Sequence, residues 1–90
     1  MITLTGQLIC TNATEADLVR EHLPEHVRLT REEPGCLSFN IRPTADPLVW
    51  QVDEAFTDRA AFETHSSRTR ASARHKATAH VKRDFRITGL

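Results

Sequence analysis

Apolar residues recur along the chain with two different periods, and the changes of period mark out its elements. From Ile2 to Cys10 they alternate, with Ile2, Leu4, Leu8 and Cys10 on one face and Thr3, Thr5 and Gln7 on the other. A period of two is the pattern of a half-buried strand. Thr14 followed by Asp17 is a weaker form of the capping box, so a helix is expected to start near there. Ala16, Val19, Leu23, Val27 and Thr30 then fall on one helical stripe. Pro24 has no amide hydrogen to offer Arg20 and is expected to interrupt and kink this helix, which Pro34-Gly35 ends.

Alternation returns with Leu37, Phe39 and Ile41, and again with Leu48, Trp50, Val52, Glu54 and Phe56. The residues between, Pro43-Thr44-Ala45-Asp46-Pro47, form a turn by composition. Setting Pro43 opposite Leu48 pairs Ile41 with Trp50, Phe39 with Val52 and Leu37 with Glu54, a register in which the apolar sets of both strands coincide. Thr57 or Asp58 caps a second helix that carries Phe62, His65 and Thr69 on one side. The Ala-rich segment from Arg68 to Val81 continues helical after a break expected at Ser66-Ser67, and Phe85 and Ile87 alternate in a last strand.

The order strand, helix, strand, strand, helix, strand predicts an α+β, ferredoxin-like βαββαβ domain over residues 1–90, with one antiparallel four-stranded sheet and both helices on one face. The opposite sheet face carries Thr3, Thr5, Ile9, Ser38, Asn40, Val49, Gln51, Ala55 and Arg86. Left bare, it would expose Ile9, Val49 and Ala55. Pairing two such faces about a two-fold axis buries both, so a homodimer, a dimeric α/β barrel, is expected.

Composition narrows the function classes. A single chain of 90 residues is too short for a Rossmann pair of halves, a TIM barrel or a kinase. Lys plus Arg and Asp plus Glu both number 12, which lacks the basic surplus of a nucleic-acid or anionic-membrane binder. No apolar run approaches the ~20 residues of a membrane span. Met1 to Gln7 does not read as a signal peptide, so a cytoplasmic location is expected. Cys10 and Cys36 lack the spacing of a zinc site and read as free thiols at opposite ends of the sheet.

Four groups of polar residues could carry chemistry. His22-Leu23-Pro24-Glu25-His26 has the inverted zinc-protease spacing, but Pro24 falls inside it, so both histidines read as solvent-facing and no metal is expected. The run Arg28-Leu29-Thr30-Arg31-Glu32-Glu33 reads as a solvated helix face. The basic stretch Arg68, Arg70, Arg74, His75, Lys76, His80, Lys82, Arg83 fits either an anion site or an exposed helix rim.

The last group joins the third strand to the second helix. Glu54 lies ~7 Å before its strand end and His65 ~10 Å into its helix, so the two can meet if the helix folds back over the sheet. Trp50, deeper in the same strand, faces the small residues Thr69, Ala71, Ser72 and Ala73. Two readings stand side by side: a pocket between sheet and helix, or a Trp that fills the core beside a satisfied buried pair.

At these residues the chain resembles the antibiotic biosynthesis monooxygenase family of small ferredoxin-like proteins. Glu33-Pro34-Gly35-Cys36-Leu37-Ser38-Phe39 resembles the family's Glu-x-Gly-Cys-x-x-Tyr entry to the second strand. Val52-Asp53-Glu54-Ala55-Phe56-Thr57-Asp58, then Ala61-Phe62-Glu63-Thr64-His65, resembles its Glu-x-aromatic, helix and His signature, and Phe85-Arg86-Ile87 its last strand. The chain departs from that pattern where Phe39 replaces Tyr, Phe56 replaces Trp and Arg70 replaces a second His; it contains no Tyr. The family's Trp, Asn and Tyr oxygenase constellation therefore does not carry over. His75 falls near the ligand position of haem-degrading relatives, but their first-strand Asn is missing from Gln7-Leu8-Ile9.

The resemblance implies a cofactor-independent monooxygenase acting with dioxygen on a small electron-rich aromatic of the quinol or anthrone type. His65 is the candidate base, oriented by Glu54, and Trp50, Phe39, Phe62 and Thr69 are the candidate walls of the pocket. The alternative is a dimeric module that binds a small apolar molecule without turnover or serves regulation, with haem binding a distant third.

Overall fold

The computed structural model describes the backbone of residues 1–90 and all side chains but those of Ala73 and Arg74. The elements are β1 (Ile2–Ile9), α1 (Ala13–Arg31), β2 (Cys36–Pro43), β3 (Val49–Phe56), α2 (Arg59–Ala71), α3 (Ala73–Ala77) and β4 (Lys82–Thr88). The four strands form one sheet in the order β2-β3-β1-β4, every neighbouring pair antiparallel. This is the expected βαββαβ topology. Ile2, Leu4 and Leu8 of β1, Trp50, Val52 and Phe56 of β3, and Phe39 of β2 are buried. Val19 of α1 and Phe62 of α2 close over the core that the β1 and β3 residues form. Burying a Leu, Val or Phe side chain contributes about 1.5–3 kcal/mol, which makes this face the main stabilising surface of a small domain. Among the described residues no helix is long and apolar enough to cross a membrane.

Three local expectations are corrected. Asn12 caps α1: its side chain accepts from the Glu15 amide at 2.9 Å, while the Glu15 carboxylate accepts from the Thr11 amide at 2.7 Å. The reciprocal box thus sits two residues before Thr14, and Asp17 pairs with exposed Arg20 instead. The expected interruption at Pro24 is absent, and helix α1 runs continuously through it. The later break falls at Ser72 rather than Ser66-Ser67: its hydroxyl donates to the Thr69 carbonyl at 2.7 Å and accepts from the His75 amide at 3.1 Å. A serine that satisfies both flanking turns can end one helix and begin the next.

The β2–β3 register is corrected by two residues. Pro43 lies opposite Trp50, Ile41 opposite Val52 and Phe39 opposite Glu54. The turn that sets it is pinned by Asp46, whose carboxylate accepts from the Leu48 amide, and by the Thr44 hydroxyl, which donates to the Asp46 and Val49 carbonyls. A shift of two leaves every side chain on its own face, so alternation alone cannot distinguish the two registers. An irregularity between Cys36 and Ser38 takes Leu37 out of the pleat, and Leu37 is 56% exposed.

Gly35 connects the end of α1 to β2 with φ +88°. Its carbonyl accepts from the Thr57 amide at 2.8 Å, and an added Cβ would lie 2.6 Å from the Ala61 Cβ. Gly35→Ala is expected to cost at least about 1–2 kcal/mol from the left-handed backbone alone. A thermal melt should show it as a drop of roughly 4–8 °C per kcal/mol for a domain this size; an unchanged melting temperature would refute it.

Candidate active site

His65 sits one turn beyond Phe62 on the buried side of α2. The Asp58 side chain fixes the start of that helix by accepting from the Ala61 amide at 2.8 Å. Beneath His65 lies an aromatic bed. Its ring centroid is 4.9 Å from Phe56, 5.8 Å from Phe39 and 5.9 Å from His26. His26 is buried edge-on against Phe39 at 5.2 Å, so its expected solvent-facing position is corrected. It falls seven residues after Val19 and four before Thr30, on the stripe that α1 buries.

Each nitrogen of His65 faces an acid. Nδ1 is 2.9 Å from Glu33 Oε1, within hydrogen-bond distance. Nε2 is 3.6 Å from Glu54 Oε1 and 3.5 Å from the Thr69 hydroxyl. Glu54 and His65 therefore meet as their positions on β3 and α2 predict. The tighter partner is Glu33, which the sequence pattern places in a solvated run; this is corrected, since its side chain is only 13% exposed. The turn after α1 brings it in: the Glu33 amide donates to the Thr30 carbonyl, and its own carbonyl accepts from the Cys36 amide. Arg68, three residues beyond His65 on α2, clamps the same Glu33 oxygen through Nη2 at 2.7 Å and Nε at 3.2 Å, and bonds the buried Thr30 hydroxyl at 3.1 Å.

Burial by itself would raise the Glu33 carboxyl, but hydrogen bonds from Arg68 and His65, together with their charges, outweigh it and hold the group below its ordinary value. With Nδ1 bonded to Glu33, the other ring nitrogen, Nε2, is turned towards Glu54 and Thr69.

That side opens onto a cavity of about 270 Å³ between the sheet and α2. Leu4, Ile41, Val52, Phe62, Phe85 and Ile87 provide its apolar walls, and Glu54, His65, His26, Ser66 and Thr69 its polar ones. Arg70, His75 and Arg83 complete the lining. Of the side chains expected to wall a pocket, Phe62 and Thr69 line this cavity, whereas Trp50 and Phe39 do not. Phe39 is buried under the imidazoles of His26 and His65. Trp50 is buried with the Arg20 guanidinium 5.7 Å from its ring, and its Nε1 has no partner among the described residues. The expected Trp50 surroundings included Ala73, whose side chain lies outside the described residues, as does that of Arg74 in the basic stretch.

The family model for antibiotic biosynthesis monooxygenases matches residues 1–83. The chain belongs to the antibiotic biosynthesis monooxygenase family. No curated protein matches it in sequence. Among solved structures, a Deinococcus radiodurans protein assigned to the same family superposes with a TM-score of 0.83 at 21% identity, over 100% of this chain and 92% of that one. A structure described as an antibiotic biosynthesis monooxygenase has a TM-score of 0.73 at 26% identity, covering 98% and 94%. SnoaB from Streptomyces nogalater, a cofactor-independent oxygenase solved as a point mutant, has a TM-score of 0.77 at 12% identity, covering 99% and 91%.

Proposed function

We propose that this family member is a cofactor-independent monooxygenase that oxidises a small electron-rich aromatic of the quinol or anthrone type with dioxygen. One observation carries the reading: an imidazole with its Nδ1 committed to a half-buried carboxylate presents Nε2 at the wall of a largely apolar cavity. A base fixed in orientation by an acid behind it is the arrangement general-base chemistry needs. SnoaB's description as a cofactor-independent oxygenase supports the reaction class.

In this reading His65 Nε2 takes the acidic proton of the bound aromatic. The resulting anion is electron-rich enough to pass an electron to dioxygen, and the radical pair closes to a carbon-bound peroxide. For an anthrone, loss of the second hydrogen from that carbon breaks the O–O bond. The sum is CH₂ plus O₂ giving C=O plus H₂O, with all four electrons supplied by the carbon. The imidazolium left after the first transfer stabilises the anionic species beside it. Glu54 and Thr69 flank the proton's path, and Phe62 packs against the substrate ring. Oxygen uptake with a panel of quinols and anthrones tests the reading; a chain that binds them and consumes no oxygen is the non-catalytic module instead. Two free thiols, Cys10 and Cys36, accord with a reducing cytoplasm.

We also propose that the working form is a homodimer closed through the helix-free sheet face. Ile9, Val49 and Ala55 are only half-buried there, and a second copy would cover them without disturbing the cavity on the other face. Light scattering should report twice the 10.2 kDa chain mass. Val49→Asp should return the monomer, because an isologous interface places the new charge near its own symmetry mate. A Val49→Asp protein that keeps the parent mass would exclude this face.

A further inference from the structure

Arg83 is a cation without a matching acid among the described residues. It stands on β4 opposite Leu8, lines the cavity and is half-buried. Its Nη1 donates to the Thr78 carbonyl at 3.1 Å and the Val81 carbonyl at 2.9 Å, and its Nη2 to the Thr78 hydroxyl at 3.0 Å. All three acceptors are neutral, and no carboxylate of the described residues pairs with Arg83. Burial lowers its pKa with no charge to offset the effect. Those bonds use both Nη1 hydrogens and one on Nη2. What remains is the Nε–H and one Nη2–H, the parallel pair with which a guanidinium grips a carboxylate.

The sheet register sets the distance from this cation to the candidate base. Glu54 lies opposite Leu4, and Leu4 opposite Ile87; Arg83 is four residues before Ile87 on the same strand. At ~3.3 Å per residue and ~4.8 Å per strand, the Glu54 and Arg83 backbones are roughly 16 Å apart. Long side chains project inward from both positions, leaving between them a span suited to a small fused-ring aromatic. Val52 and Phe85, which line the cavity, occupy the rows between.

We propose that the cavity takes an aromatic carboxylate, its phenolic end at His65 and Glu54 and its carboxylate on the free edge of Arg83. The ring's oxidation rests on the monooxygenase reading above, but the recognition of its carboxylate does not. Apolar walls suit an aryl acid, and the fixed fork of Arg83 matches a carboxylate in a way that a flexible lysine would not. Arg70, also at the cavity and without an ion pair among the described residues, adds positive potential.

Isothermal titration calorimetry of the full chain with two probes tests this. 6-Hydroxy-2-naphthoate carries the hydroxyl and carboxylate at opposite ends of the ring system, and 2-naphthol lacks the carboxylate. The naphthoate should bind at least tenfold more tightly, and 3-hydroxy-2-naphthoate, whose two groups are adjacent, should lose most of that advantage. Arg83→Gln should erase the preference by weakening naphthoate binding far more than 2-naphthol binding. Should circular dichroism find Arg83→Gln unfolded, Arg83→Lys, which keeps the charge without the fork, should reduce the preference at least threefold. Equal affinity of the parent for the two probes, absence of binding by either, or a preference that survives loss of the fork overturns the proposal. Oxygen consumption is not part of the readout. A carboxylate preference without oxygen uptake from any quinol would leave this site standing and remove the monooxygenase reading.

Discussion

His65→Ala is expected to lower the turnover of a quinol or anthrone by about 10²–10⁴-fold, the range supplied by a positioned general base. The imidazole touches both the half-buried Glu33 carboxylate and the cavity where Glu54 and Thr69 stand. Substrate affinity should change far less, because the apolar walls survive. Oxygen-electrode rates and equilibrium binding on the same variant separate the two effects. Should the rate fall less than about fivefold in a folded variant, well short of that range, His65 is not the base, and its contacts with Glu33 and Glu54 are structural. A loss of melting temperature alone, with turnover retained, would point the same way.

The second large effect concerns Glu33. Its carboxylate is held between His65 and Arg68, so Glu33→Ala removes the charged acceptor that both share. Breaking such a pair from one side costs about 3–5 kcal/mol in fully buried cases. Arg68 is 33% exposed. Solvent relieves part of that cost, and about 2 kcal/mol is the expectation. At roughly 4–8 °C per kcal/mol, the melting temperature should fall by more than about 8 °C.

The pH dependence follows from the direction of the shift. The folded-state pKa of Glu33 lies below its ordinary 4.5, so the unfolded chain binds more protons there. The stabilisation is complete above about 4.5 and is lost as pH falls through the folded value. Chemical denaturation across that window should show the parent losing stability, and Glu33→Gln should lose less. Identical pH profiles for the two proteins would show that Glu33 is not the acid-sensitive group. Turnover should fall in Glu33→Gln as well, since an amide cannot fix the imidazole as a carboxylate does.

The elements are legible in the sequence because burial imposes a period. Ile2, Leu4 and Leu8 alternate since every second side chain of β1 enters one core, and Val19 and Thr30 recur since α1 presents one stripe to the same core. His26 lies on that stripe too. Its polarity conceals a burial that its spacing already implies. The meeting of Glu54 with His65 is legible for a related reason: once α2 folds back over β3, their depths follow from rise per residue.

Element order, topology and faces thus follow from the chain alone, because local hydrogen bonding and the separation of apolar from polar residues act at every position. Contacts that depend on where distant segments meet needed the folded molecule. The β2–β3 register is one, since two registers share the same faces and Asp46 and Thr44 in the turn choose between them. The partner of His65 is another. Glu33 belongs to a run of charges that any surface helix could carry, and it becomes a half-buried, paired acid only because the turn at Pro34-Gly35 carries it under α2, to within reach of Arg68. Trp50 lies outside the cavity for the same reason: the sheet twists and the helices cross it at angles that no periodicity records, so sharing a face with Val52 and Glu54 did not place it beside them in the cavity wall.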